Sequence, residues 1–241
     1  MFPSKELIQS LAFLTVTVVA GTSLYENVQL KATANIPPTT VSLNSTPGNI
    51  WRNTLTPRTI ANNWRVYACE GNAPLLCVSE KGKFAGTVEM ARYSIKMLPD
   101  FRKMLTDAGI SPEKTNYQNP KYKRQILTAL NAWVANHYAV IAKDRQIGYG
   151  SKYSFLPTNP EAVTVGSLPA LRYGFTGRQQ NGSLQEHQIG YVAFDGKTLY
   201  IIKTGFDPGG DTGTLKTATQ LRSFQPHLSK VVTQLRLAFS K

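Results

Sequence analysis

The sequence predicts an α+β domain: an antiparallel sheet covered by helices on both faces, an α/β/α sandwich. Three observations predict it. Residues 168–202 read as a three-stranded meander with two tight turns. The strands of that meander are apolar on both faces, which requires a cover on each side. The flanking segments supply amphipathic helices of the right length to be that cover.

The meander starts with 168–175, passes the Asn181-Gly182 turn to 188–194, and passes the Asp195-Gly196 turn to 198–202. Asn-Gly and Asp-Gly accept the positive φ that hairpin turns matching strand twist require. In the middle strand Ile189, Tyr191 and Ala193 alternate with Val192 and Phe194; in the third, Leu199 and Ile201 alternate with Tyr200 and Ile202. The first is more one-sided, with Leu171, Tyr173 and Phe175 against Ala170, Arg172 and Gly174.

Taken in order, the folded part begins near Trp64. Trp64, Val66 and Ala68 alternate with Arg65, Tyr67 and Cys69, and 74–79 is the returning strand. Lys81-Gly82-Lys83 is a turn. Residues 84–95 form a longer strand, in which Val88 and Met90 oppose Ala91, Tyr93 and Ile95 after a register change.

Two helices follow. Residues 98–108 open with Pro99 in the first turn, carry Phe101, Met104, Leu105 and Ala108 on one face, and stop at Gly109. Residues 120–145 form a long helix, with Ile126, Leu127, Leu130, Trp133, Val134, His137, Val140 and Ile141 at spacings of three and four. Lys121, Lys123 and Arg124 sit at its start, the unfavourable end for the helix dipole. After the meander, Asp207-Pro-Gly-Gly-Asp211 is a loop. The last helical region spans 217–239, and Pro226 predicts a break, with the main helix starting near Gln225.

Upstream of the domain, Lys5 precedes an apolar run whose core, Leu11 to Ala20, has no charge. Residues 1–20 therefore read as a signal peptide or a membrane anchor. Residues 21–63, rich in Thr, Asn, Ser and Pro, read as a flexible linker, with Ile50-Trp51 as a local apolar exception able to pack on the domain. Residues 64–241 form the single sandwich domain. Export would place it in a periplasm or a thylakoid lumen.

The 241 residues carry a formal net charge of +13. No acidic residue follows Asp211, where Lys216, Arg222, Lys230, Arg236 and Lys241 occur. Such a surface attracts an acidic protein or an anionic membrane surface, or serves solubility alone. Cys69 and Cys77, the two cysteines, flank a segment of turn formers. In an oxidising compartment they form a disulfide; otherwise they are two core thiols. Zinc needs more ligands than this pair offers.

Little else carries chemistry. His137 lies on an apolar helix face. Glu186-His187 offers two potential metal ligands without a third at strand or helix spacing. Asp207 and Asp211 lack the ligand spacing of a calcium loop. There is no phosphate-binding Gly-rich loop and no Gly-x-Ser-x-Gly elbow. No basic-aromatic nucleic-acid module is visible, because the aromatics occupy alternating, core-like positions. No cofactor, metal site or catalytic residue is expected, and no nucleic-acid partner. An extracytoplasmic hydrolase assembled in space from Glu186, His187 or the Asp207 to Asp211 loop is the principal rival, followed by a structural envelope protein.

The order of elements, with Tyr93-Ser-Ile95 before Leu98-Pro99, the strand Pro169-Ala-Leu-Arg-Tyr-Gly-Phe-Thr-Gly177, the strand Gly196-Lys-Thr-Leu-Tyr-Ile-Ile202 and the closing Gln234-Leu-Arg-Leu237, resembles the PsbP-like family. These are lumenal or periplasmic α/β/α proteins related to photosystem II extrinsic subunits. The two helices between residues 98 and 145 are longer than that family's. The resemblance implies a photosystem-associated accessory or assembly role without catalysis, and it transfers no functional residue. The expected function is thus docking through Lys216, Arg222, Lys230 and Arg236.

Overall fold

A computed structural model describes residues 48–55, 63–111, 117 and 119–237. All of them lie within the compact unit Ala34–Lys241. The export segment 1–20 and most of the linker 21–63 lie outside the described residues.

The sheet has nine strands among the described residues: β1 (Trp64–Ala68), β2 (Leu75–Glu80), β3 (Lys83–Ser94), β4 (Tyr153–Pro157), β5 (Glu161–Val165), β6 (Leu168–Gln179), β7 (Leu184–Phe194), β8 (Thr198–Phe206) and β9 (Thr214–Leu215). Their order is β1-β2-β3-β9-β8-β7-β6-β4, and β5 pairs with the first half of β6. All pairings are antiparallel except the short β8–β9 contact. The meander is β6-β7-β8, as its turn residues predict, and Gly182 closes its first turn at φ 81°.

The alternation along β7 and β8 sorts side chains into two cores. Ile189, Tyr191, Ala193, Tyr200 and Ile202 join one, with α1 (Ile50–Thr54) and α4 (Ala218–Thr233) as its cover. Val192, Phe194, Leu199 and Ile201 join the other, under α2 (Pro99–Asp107) and α3 (Lys123–Tyr149). The α/β/α sandwich is therefore the observed architecture.

Several features refine or differ from the sequence expectation. Pro226 does not break the last helix: α4 runs unbroken from Ala218 to Thr233. An interior proline costs about 3 kcal/mol. Leu221, Phe224, Leu228 and Val232 are fully buried on both sides of it, and each buried side chain of this kind contributes roughly 1.5–3 kcal/mol. Pro226 itself faces solvent. The helix also ends early: Gln234 caps it, and Leu235 and Leu237 are buried beyond its end.

The register change in β3, which the sequence does not place, lies before Val88. Val78 pairs with Gly86 and Ser79 with Phe84, so Ala85 is the inserted residue of a β-bulge. Ala85 and Val88, three apart, consequently enter the same core. A side chain on Gly86 would collide with the backbone of Thr214, so the bulge and β9 fit only around a glycine.

The long helix continues to Tyr149, and β4, β5 and β9 appear where no strand was expected. Finally, the apolar exception at Ile50-Trp51 packs on the domain, as expected, and is part of its core. Asn49 caps α1 by accepting from the Trp51 amide, and Trp51 is fully buried.

Candidate docking surface

The Cys69–Cys77 disulfide is present, with Cα atoms 5.0 Å apart. β1 and β2 bring it together: Tyr67 pairs with Cys77, and the Cys69 amide donates to the Leu75 carbonyl. Asn49 clasps this hairpin from α1. Its fully buried amide donates to the carbonyls of Cys69 (3.0 Å) and Leu75 (2.6 Å), and Trp51 Nε1 donates to that of Pro74 (3.0 Å). Every polar atom of the Asn49 side chain is thus satisfied.

The groups with potential chemistry are committed elsewhere. Glu186 is buried on the α3 side of the sheet. Arg145 donates to it through Nε (2.7 Å) and Nη2 (2.9 Å), and the Tyr153 hydroxyl also donates to Oε1. The hydrogen bond to Glu186 raises the Arg145 pKa above its ordinary value, and burial followed by the Glu186 bond raises that of Tyr153. Three donors thus engage this carboxylate, and its side chain is almost wholly shielded from solvent.

His187 follows Glu186 in the strand and leaves from the opposite face. Its Nδ1 lies 2.9 Å from Thr176 Oγ1, and burial, then the nearby Arg222 charge, lowers its pKa. Glu186 and His187 therefore cannot share a metal ion. In the 207–211 loop, Asp207 accepts from the Gly209 amide at 2.9 Å, a turn contact. Among the described residues no three His, Cys, Asp or Glu side chains converge to hold a metal.

The four basic residues singled out by sequence are all exposed but are not all together. The apolar stripe Leu221, Phe224, Leu228, Val231 and Val232 fixes the inner side of α4. Arg222 and Lys230 are thereby turned outward, about 12 Å apart along the axis at 1.5 Å per residue. Arg236 follows the helix; its amide donates to the Thr54 carbonyl, so it emerges beside α1, where Arg52 is also exposed. Lys216 is separate. Leu215 is buried, so Lys216 leaves from the other side, and its ammonium lies 5.4 Å from the centroid of the Phe84 ring.

Fold and surface together define a disulfide-clasped α/β/α sandwich with a basic helical face. No protein-family model and no curated protein matches the chain. Among solved structures it is similar to the solution structure of cyanobacterial PsbP (CyanoP) from Synechocystis sp. PCC 6803, at 9% identity and a TM-score of 0.37, over 80% of this chain and 98% of that one. The family likened to this chain on sequence is thus also returned by structure. At that identity and score the likeness carries no argument about function.

Sequence reasoning missed Arg145 as the partner of Glu186. The two are 41 residues apart and on different elements, and no local spacing marks such a pair. It also missed Asn49, whose only signal is a cap-forming residue directly before Ile50-Trp51.

Proposed function

We propose that this chain is an exported accessory protein that binds rather than catalyses, and that it docks on an acidic protein surface through Arg222, Lys230 and Arg236. The observation that carries the reading is the outer side of α4. Its two cations are exposed, and no acidic side chain occurs in the sequence after Asp211. Lys216 lies apart from this face, beside Phe84. The disulfide supports export, since such bonds persist in oxidising compartments. The engagement of Glu186, His187 and Asp207 in structural contacts favours binding over hydrolysis.

Exposed cations steer an acidic partner over a Debye length of ~8 Å at physiological salt and act mainly on association rate. The test is the double variant Arg222→Glu with Lys230→Glu, used as bait in a membrane extract at low and high salt. Acidic proteins captured by the parent at low salt should be lost. Capture of the same proteins by the variant, with the same salt dependence, rejects this docking surface.

A further inference from the structure

We propose that a second surface, at the end of the domain formed by the last turns of α3 and the start of β4, inserts into the headgroup layer of an anionic lipid bilayer. It goes beyond the α4 docking face and uses none of its residues.

Three apolar or aromatic side chains at this end face solvent. Ile147 is 77% exposed, Tyr149 49% and Val140 46%. Val140 and Ile147 are seven apart and share one side of α3. Tyr149 stacks on Tyr153, with ring centroids 5.2 Å apart and planes within 18°, which holds it at the helix end with its outer face free. A lone exposed apolar residue is ordinary. Here they are grouped at the terminus of a 27-residue helix, and Ile147 is the most exposed of the large hydrophobic side chains among the described residues.

The charge around them is of one free sign. Lys143 and Lys152 are exposed, and neither is in an ion pair among the described residues. Arg178 is exposed on the neighbouring strand, where Ser154 of β4 pairs with it. The two carboxylates of this region, Asp144 and Glu186, are both held by Arg145. An apolar point flanked by Lys143 and Lys152, with Arg178 held beside it by its bond to the Gly182 carbonyl, matches a bilayer interface: the apolar chains enter the acyl boundary while lysine stems lie along it and keep their ammonium groups among anionic headgroups. A protein partner would instead have to offer a pocket for a projecting isoleucine. The lipid surface asks only for a protrusion and positive charge, and both are present.

The test places a reporter at the tip of the full chain. Ile147→Trp is mixed with vesicles of brominated phosphatidylcholine and brominated phosphatidylglycerol. Trp51 and Trp64 are buried and Trp133 is half-buried, so the parent gives the background. Most of the emission added by the new tryptophan should be lost on these vesicles. The loss should disappear when Lys143→Glu and Lys152→Glu are added. Arg222→Glu with Lys230→Glu should leave it unchanged, which separates this surface from the α4 face. Because Ile147 is exposed, the thermal midpoint should match the parent; should that variant unfold, Tyr149→Trp is the second reporter. Unquenched added emission from vesicle-bound protein overturns the proposal, as does equal quenching on vesicles without phosphatidylglycerol. Loss of an acidic protein partner on Ile147→Ser in the absence of lipid overturns it in favour of a protein interface.

Discussion

Arg145 grips both carboxylate oxygens of Glu186, through Nε at 2.7 Å and Nη2 at 2.9 Å, and so ties the end of α3 to the middle of the sheet. The pair is the charged counterpart of the apolar contacts that hold this helical layer. Its planar fork matches the carboxylate, and Tyr153 adds a third donor. Removing Arg145 leaves the buried Glu186 carboxylate without a counter-charge, whereas removing Glu186 leaves Arg145 its ion pair with Asp144. Arg145→Ala should therefore destabilise the fold by about 3–5 kcal/mol. The double variant with Glu186→Ala should cost less than the sum of the two single ones. Urea denaturation of the three variants measures this, and strict additivity would refute the coupling.

The disulfide hairpin and α1 should fail separately. Cys77→Ser removes a bridge closing a short loop, a loss of ~2.5 kcal/mol in the chain-entropy treatment. Asn49→Ala takes the side-chain donor from the Cys69 carbonyl and leaves the Leu75 carbonyl with the Cys69 amide alone, at a cost of roughly 1–3 kcal/mol. Mass analysis of thiol-blocked protein from its native location should find neither cysteine alkylated. Alkylation of both would place the chain in a reducing compartment and remove the support for export.

What could be read from sequence was whatever a local period records. Val192 and Ile189 sit on opposite faces of one strand and enter different cores, so the β7 pattern alone announced two covered faces. The α3 stripe and the Pro99 and Gly109 boundaries of α2 were equally local. What could not be read depends on distant chain. β4 lies at the sheet edge with most of its residues exposed, so it has no apolar alternation to detect. The Ala85 bulge exists because β9 crosses at Gly86; the Gly213 amide donates to Thr87 Oγ1 across 126 residues. On the surface, net charge was legible but its division was not. Only the packed stripe of α4 shows that Arg222 and Lys230 share a side from which Lys216 is excluded.

The unbroken path of α4 through Pro226 makes a simple stability test. Proline has no amide hydrogen, so the Arg222 carbonyl lacks its helical donor. Pro226 is exposed, and nothing in the core depends on its ring. Pro226→Ala restores the bond and relieves a cost of about 3 kcal/mol, offset by about 0.4–1 kcal/mol from the freer unfolded chain. The variant should therefore melt at a higher temperature than the parent. A lowered midpoint would mean that Pro226 is required for the path of α4 that packs Phe224 and Leu228.

His137 gives the fold a dependence on acid. It stacks on Trp133 at 4.9 Å and meets the edge of Tyr173 at 5.5 Å, inside the α3 layer. Burial, with the Lys203 charge second, lowers its pKa from 6.5 to about 4. The folded state therefore keeps it neutral where the unfolded chain takes up a proton. The sign follows from that difference. Above the unfolded pKa of 6.5 neither state is protonated at this residue and its contribution is constant; between 6.5 and about 4 the unfolded state binds the extra proton, and stability falls as pH falls. The slope from this group approaches 1.4 kcal/mol per pH unit within that window. His187 and His227, lowered chiefly by burial, add in the same direction. His137→Phe keeps an aromatic ring against Trp133 and removes the titration. Its denaturation midpoint should decline less than the parent's between pH 6.5 and 4, while the two run parallel above 6.5. Parallel curves across the whole range would show that His137 is protonated as readily in the folded protein as in the unfolded chain. The stacked, desolvated environment would then not be what sets its charge.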